Sequence, residues 1–339
     1  MDLLNEQVLC TIFSFSEGYN FVNRQVCSDF RRIVPKVSPF VYLDRLLADK
    51  VQIKLEPSEE MMVEAVKLDL VHLLEVNKPY IEKEICEIAA ELGKTKVLDW
   101  AIDNGYSCIH PTPCTGPCKS SNLYCCAVKG GHLHIIKQLD EKGFPFRVSN
   151  FYDVAKYGHW EILKWVKDRG YLSERFCSNA ALGGRLDILQ WLRANGCDWD
   201  VWVCADAALG GHLEVLKWAR ANGCPWDTWT CRNAAAGGHL EVLQWARSQG
   251  CPWNENTCAY AAGSGHLEIL QWLRANGCPW DQETCYSAAT GGCLETLKWA
   301  FENGCPWTNN ACVTAYMNNR TNIIEWMKEN GLFHIESHE

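Results

Sequence analysis

The chain has 339 residues, of which 47% are apolar and 22% are charged, a composition typical of a folded protein. Its net charge of −9 argues against a nucleic acid as the main partner, because nucleic-acid binding needs a basic surface. No run of 18 apolar residues occurs, so the sequence predicts no membrane span. The opening Met1–Glu6 lacks a basic residue ahead of an apolar core, so we expect no secretory signal.

Cysteine is unusually frequent, with 20 copies and no export signal, which predicts free thiols in a reducing compartment such as the cytoplasm. Twelve of them recur at two fixed places of a repeated unit. A residue that recurs in this way is most simply a small buried side chain, and a ladder of disulfides is the alternative. The two series are Cys197, Cys224, Cys251, Cys278 and Cys305, and Cys86, Cys177, Cys204, Cys231, Cys258, Cys285 and Cys312.

Residues 1–34 stand apart from the repeats and carry two stripes of apolar residues at helical spacing. A polar break at Ser16–Asn20 separates the two predicted helices, and Pro35 ends the second one. The stripes are Leu4, Val8, Leu9, Ile12 and Phe13, and then Phe21, Val22, Val26, Phe30 and Ile33.

This segment resembles an F-box. The resemblance rests on Leu4–Leu9 at the start, on Ile12–Phe15 and on the closing Val26–Arg32; Asn5 replaces the family's usual proline, and the loop after Phe15 is slightly short. It implies a three-helix module over residues 1–38 that binds the Skp1 subunit of a cullin–RING ubiquitin ligase. The alternative is a helical cap on the end of the repeats. The resemblance assigns Skp1 binding to Leu4, Val8, Leu9, Ile12, Phe13, Val26 and Phe30.

Residues 39–57 are predicted to hold one linking helix, Phe40–Lys50, and an extended tail. Helical pairs begin at Ser58 and continue to residue 333 as about ten units, followed by a tail at 334–339. The clearest marker is the motif Gly-Cys-Pro-Trp-Asp at Gly223–Asp227, which recurs in close variants every 27 residues between Gly196 and Gly304. A fixed period of this length predicts stacked units rather than a single globular core.

The unit that begins at Gly223 shows the physical logic of the repeat. Gly223 can adopt positive φ and end a helix, and Asp227 is a strong cap for the next one. We expect a first helix over Thr228–Ala236, a turn at Gly237-Gly238 and a second helix carrying Leu240–Trp245. The arginines of the second helices are interleaved with acids and are expected to lie on a solvated outer face.

The sequence motif Ala-Ala-x-Gly-Gly-His-Leu-Glu-Val-Leu resembles the ankyrin repeat, and His212, His239 and His266 stand at the position of that family's Gly-His. An ankyrin unit has 33 residues, and its loop normally continues into a β-hairpin. Because the unit of this chain is shorter, at 27 residues, the hairpin should be reduced to a loop. This short form is similar to repeats found in large DNA viruses and some protists, which would place the chain in a host cytoplasm. The predicted fold class is all-α: an ankyrin-type helix–turn–helix repeat solenoid with an N-terminal three-helix F-box-like module.

One insertion breaks the period. Gly105 to Gly143 is eleven residues longer than the standard unit, and the added segment near 108–118 contains Cys108, His110, Cys114 and Cys118. Three thiols and an imidazole could hold Zn²⁺, but the spacing is not that of a standard finger, and with cysteine this frequent a plain proline-rich surface loop is the preferred interpretation. We therefore predict no cofactor.

Positions that vary between units have no stacking role and are the best candidates for binding a target. Trp202 and Trp229 belong to them, as does Trp160, because these three lie outside the periodic tryptophan columns. In the ankyrin family the target contacts the loops and first helices. The predicted target-binding residues are Trp202, Asp206, Trp229, Arg232, Tyr260 and Tyr286.

No phosphate-binding loop, nucleophile elbow or metalloprotease motif is present, so we expect no enzyme. Two hypotheses remain. In the first, the chain is the substrate-recognition adaptor of a Skp1–cullin–F-box ligase; in the second, it is a scaffold that sequesters a partner protein without a link to ubiquitin. A zinc- or redox-active protein built on the insertion is a distant third.

Overall fold

The computed structural model describes residues 38–51, 55, 57–106, 120–145 and 147–332. All regular structure in these ranges is helical, with 21 α-helices, two 3₁₀ helices and no strand. The contacts divide the chain into two compact units, Met1–Phe151 and Tyr152–Glu339. The predicted all-α array of helix–turn–helix repeats is confirmed. The Skp1-binding candidates Leu4, Val8, Leu9, Ile12, Phe13, Val26 and Phe30 lie outside the described residues.

The first unit contains seven of the α-helices and both 3₁₀ helices, Lys78–Tyr80 and Val148–Phe151. The linking helix begins one residue earlier and ends two residues earlier than the sequence predicts, and Lys50 has a positive φ of 57° just after it. The helices are α1 (Pro39–Ala48), α2 (Glu59–Lys67), α3 (Val71–Val76), α4 (Ile85–Leu92), α5 (Thr95–Asp103), α6 (Ser120–Gly130) and α7 (Leu133–Glu141).

The second unit contains fourteen α-helices that alternate between a first and a second helix of each repeat. The first helices are α8 (Asp153–Tyr157), α10 (Glu174–Leu182), α12 (Val201–Leu209), α14 (Thr228–Ala236), α16 (Glu255–Gly263), α18 (Gln282–Gly291) and α20 (Asn309–Met317). The second helices are α9 (Trp160–Asp168), α11 (Leu186–Ala194), α13 (Leu213–Ala221), α15 (Leu240–Ser248), α17 (Leu267–Ala275), α19 (Leu294–Glu302) and α21 (Thr321–Glu329).

The repeat at Gly223 folds as its sequence predicts. Gly223 has a φ of +82°, and the side chain of Asp227 accepts a hydrogen bond from the Trp229 amide at 3.0 Å, which caps α14. The turn after α14 is tight: a Cβ on Gly237 would lie 2.5 Å from the carbonyl oxygen of Leu209. Gly238, with a φ of +81°, then leads into α15.

Stacking rests on small residues in the first helices and larger apolar ones in the second. Ala234 and Ala235 of α14 are completely buried, and so is Leu243 of α15. Because alanine adds little bulk, successive first helices approach closely, and each buried leucine contributes about 1.5–3 kcal/mol of transfer free energy.

The repeated histidines have a structural role. The Nε2 atoms of His212 and His239 donate to the carbonyl oxygens of Leu182 and Leu209, each at 3.1 Å, and satisfy the last turn of the preceding first helix. Where the histidine is replaced, another donor stands in its place: Arg320 donates to the Thr290 carbonyl at 3.1 Å.

All described cysteines are free thiols, so the described residues contain no disulfide ladder. The loop thiols donate to the backbone of the preceding repeat, as Cys224 does to the Asp200 carbonyl at 3.4 Å. A hydrogen bond with Cys224, together with burial, raises the pKa of the Cys204 thiol. The Cys204 thiol therefore stays protonated, and the buried cysteines of both series fill the space between repeats.

Candidate functional site

The predicted target-binding residues lie on four successive first helices, α12, α14, α16 and α18. The structure brings four of them together: Trp202, Trp229, Arg232 and Tyr260, which we call the aromatic–arginine cluster. Asp206 lies on α12 with Trp202, and Tyr286 lies on α18; neither residue has a ring contact, hydrogen bond or ion pair with the four members of the cluster.

The cluster is a chain of ring contacts. The indoles of Trp202 and Trp229 have centroids 5.0 Å apart with planes tilted by 53°. The Arg232 guanidinium carbon lies 3.0 Å from the Trp229 centroid and 4.2 Å from the Tyr260 centroid. One cation is thus held between two aromatic rings of successive repeats, an arrangement that favours a positive charge.

The helical period and the repeat period together build this cluster. Trp229 and Arg232 are three residues apart in α14, which puts their side chains on one face of the helix. Trp202 occupies the slot of Trp229 one repeat earlier, and Tyr260 stands 28 residues after Arg232, one residue more than the 27-residue period. Stacking of the repeats then places the four side chains in a row.

Arg232 makes no hydrogen bond and no ion pair with any residue that the structure describes. Its Nε atom is buried without a partner, and the residue as a whole is half-buried. Burial lowers the pKa of the guanidinium, and the nearby Tyr260 and Asp227 oppose this effect. Because an arginine keeps its proton in proteins, the cluster carries a fixed positive charge with unused donors.

Asp206 lies next to the preceding repeat. Its pKa is raised to about 6 by burial, and Arg175 and a hydrogen bond with Ser178 oppose the increase. It belongs to the same face of the first helices but has its own polar partners. The structure therefore separates Asp206 from Arg232, and the two do not form an ion pair.

Tyr260 and Tyr286 both line an open groove of 300 Å³ between α16 and α18. The other lining residues are small. Tyr260 is 44% exposed, and it borders both the groove and Arg232. The groove is lined by Ala259, Tyr260, Gly263, Ser264, Tyr286, Ser287, Thr290 and Gly291.

The loop tryptophans and the tryptophans of the second helices form a second aromatic column, which has a structural role, unlike the aromatic–arginine cluster. Each loop tryptophan meets a tryptophan of the second helix at a steep angle, as Trp253 and Trp272 do with centroids 5.9 Å apart. The arginine of the preceding second helix stacks on the loop ring, and its guanidinium donates to a loop carbonyl: Arg247 lies 4.2 Å from the Trp253 centroid and donates to Cys251 at 3.0 Å.

These contacts give the arginines of the second helices a role that the sequence pattern did not predict. Arg247 is exposed, as expected for a solvated outer face, and Arg220 and Arg274 are half-buried. Each of the three stacks on a loop tryptophan and donates to a loop carbonyl. Their role is structural because the planar guanidinium fits a ring and a carbonyl at once. Trp160 is likewise packed, edge to face against Trp191 at 5.7 Å.

The last first helix, α20, has an exposed apolar surface that was not among the predicted sites. Tyr316 is 60% exposed and Met317 is 76% exposed. A signal was present in the sequence, because Tyr316 occupies the slot that holds the second alanine of the Ala-Ala pair in earlier repeats.

The zinc candidates Cys108, His110, Cys114 and Cys118 lie outside the described residues. Among the residues that the structure does describe, no group of three or more His, Cys, Asp or Glu side chains could hold a metal ion. Within the same ranges, no helix is long and apolar enough to cross a membrane.

Comparison with solved structures finds similar chains. The chain is similar to the solved structure of the human ASB11 ankyrin repeat domain, with a TM-score of 0.37 and 22% sequence identity over 46% of this chain and 83% of that one. No protein-family model matches the sequence, and a comparison with curated proteins finds no match.

Proposed function

We propose that the chain is a protein–protein interaction adaptor whose repeats hold a target protein against the exposed face of the first helices. The aromatic–arginine cluster carries this proposal. Stacking of the repeats does not require its residues, since other units have Asn256 or Glu283 in the slot of Trp202 and Trp229. Aromatic and arginine side chains are also the types most often found at the energetic centre of interfaces.

The target-binding surface consists of the cluster together with Asp206 and Tyr286. We expect replacement of Trp229 or Arg232 by alanine to weaken target binding while leaving the repeats folded. The test compares capture of one identified target by the full chain and by each variant, with melting temperatures measured in parallel. Equal target binding by all of them would contradict this assignment, and loss of folding would show that the residues belong to the core.

We further propose that residues 1–38 bind Skp1, which would make the chain the substrate-recognition subunit of a Skp1–cullin–F-box ubiquitin ligase. The support is the resemblance of Leu4–Leu9, Ile12–Phe15 and Val26–Arg32 to an F-box. An adaptor of this kind works in the cytoplasm, or in a host cytoplasm if the chain is viral, and needs no catalytic residue or cofactor of its own.

Co-purification with Skp1 tests this second part. The full chain should retain Skp1, and Leu9→Asp or Ile12→Asp should lose it, because a charge would be buried in an apolar contact. Trp229→Ala is the matched control and should retain Skp1. Failure of the unaltered chain to bind Skp1 would leave the alternative, a scaffold that sequesters a partner protein without a ubiquitin ligase.

A further inference from the structure

Arg232 differs from the arginines of the second helices that stack on tryptophan rings, because its N–H groups donate no hydrogen bond to a backbone carbonyl of the described residues. Arg193 and Arg247 each lie over a tryptophan and also donate to a backbone carbonyl. Arg232 lies over Trp229 and donates to nothing that the structure describes, although its Nε atom is buried. A buried donor without a partner costs free energy, and such groups in a folded protein call for an explanation.

We propose that Arg232 binds a carboxylate of an acidic residue in the partner protein, and that the groove beside it takes an apolar side chain of the same partner segment. This inference rests on the proposed use of the first-helix face for target binding. The two rings hold the guanidinium in place, so little side-chain entropy remains to be lost when its fork meets a carboxylate.

The groove supplies the second half of the recognition. Tyr260 contacts Arg232 and also lines the groove, whose other lining residues are small apart from Tyr286. A space lined by two aromatic residues and by small ones suits a leucine, methionine or phenylalanine side chain.

The Arg232 guanidinium lies between α14 and α16, and the groove lies between α16 and α18, so the two halves are about one helix spacing apart. Packed helices stand about 8–10 Å apart. An extended chain advances about 3.3 Å per residue, so the acidic and apolar residues should be two or three positions apart. The partner segment is therefore acidic and extended, with one bulky apolar residue close to the acid.

The probe is a library of random twelve-residue peptides displayed on phage and selected against the full chain. We expect the selected peptides to contain Asp or Glu two or three positions from Leu, Met or Phe. Changing that acid to its amide in a synthetic peptide should weaken binding roughly tenfold or more, because a charge-assisted hydrogen bond is lost.

Protein variants locate the contact. Arg232→Lys keeps the charge but loses the planar fork, and it should bind the selected peptide at least about fivefold more weakly than the unaltered chain. Tyr286→Ala should lose the preference for the apolar residue. Lys217→Gln, which removes a charge on the exposed side of α13, is the control and should bind normally.

Three results would overturn the inference: no enrichment of the acidic and apolar pair, equal binding of the acid and amide peptides, or equal binding by Arg232→Lys. The comparison of acid with amide peptides leaves the protein unchanged, so it decides the question even if a variant fails to fold. Peptides that bind elsewhere on the first helices would sink this inference and leave the adaptor function standing, and the Skp1 test is independent of both.

Discussion

The guanidinium of Arg232 and the ring of Tyr260 lie 4.2 Å apart and join two consecutive repeats on their first-helix face. The contact gives Arg232 an aromatic neighbour on each side but no acceptor for its N–H groups. In the structural column, Arg247 has both a ring and a carbonyl. Arginine thus stabilises the fold where it stacks on the loop tryptophans, and it remains available for binding in the aromatic–arginine cluster.

This contrast predicts different stability effects for two arginine substitutions. Arg247→Ala should lower the free energy of unfolding by about 1–2 kcal/mol, since it removes a hydrogen bond and a cation–π contact. Arg232→Ala should change it by less than about 0.5 kcal/mol, because the loss of ring contact is offset by removal of an unsatisfied buried donor. Chemical denaturation of both variants measures the difference, and an equal loss would contradict the distinction.

Substitution of two glycines in one repeat distinguishes the cost of backbone strain from the cost of steric contact. Gly223 and Gly238 have φ near +82° and +81°, but a Cβ on Gly223 would meet nothing within 4 Å, whereas one on Gly238 would lie 2.7 Å from His266. Gly223→Ala should cost about 1–2 kcal/mol from the left-handed conformation. Gly238→Ala should cost at least about 1 kcal/mol more, and thermal unfolding of the pair would show it.

The histidine ladder can be tested at His239. Alanine there leaves the Leu209 carbonyl without its side-chain donor and should cost about 1 kcal/mol. Arginine should recover part of the loss, because Arg320 fills the same slot in the last repeat and donates to Thr290. Urea denaturation of the two variants measures this, and an unchanged midpoint for His239→Ala would show that the bond contributes nothing.

Asp206 predicts a dependence of stability on pH. Its pKa rises from 3.8 in the unfolded chain to about 6 in the folded one, chiefly through burial, so folding favours the protonated form. Its contribution is fully present below pH 3.8 and is lost as the pH rises through about 6. Asp206→Asn should therefore raise the melting temperature at pH 7.5 more than at pH 4.

The control for this measurement is Glu241→Gln, which neutralises an exposed acid on α15 and should shift the melting temperature little at either pH. If Asp206→Asn has the same effect at both pH values, burial does not control this carboxylate.

The repeat architecture could be predicted from the sequence because each slot recurs. The equivalents of Gly223, Asp227 and the Ala-Ala pair mark a helix end, a helix cap and a packing position in several repeats. A prediction that is correct for one repeat is therefore correct for the next. The bounds of α14 agree with the prediction for this reason. Arg247 is exposed, as its sequence pattern predicts, but a one-dimensional pattern does not show that the loop ring of Trp253 contacts the same side chain.

The candidate site was harder to predict. Variation between units marks Trp229, Arg232 and Tyr260 as free of stacking, but it does not show that they touch. Their contact depends on a one-residue offset between repeats, which becomes visible only when the helices are stacked. Tyr316 was not predicted, because it lies outside the three variable slots of the predicted residues, in a slot that holds a buried alanine in the earlier repeats.

Site-specific photocrosslinking tests the central claim most directly. A benzoylphenylalanine placed at Tyr260 in the full chain should crosslink to the target protein, and the yield should fall when Arg232→Lys is added. The same group at Gln244, exposed on α15, should give no crosslink to that target. Crosslinking at Gln244 with none at Tyr260 would show that the target binds elsewhere and would contradict the account.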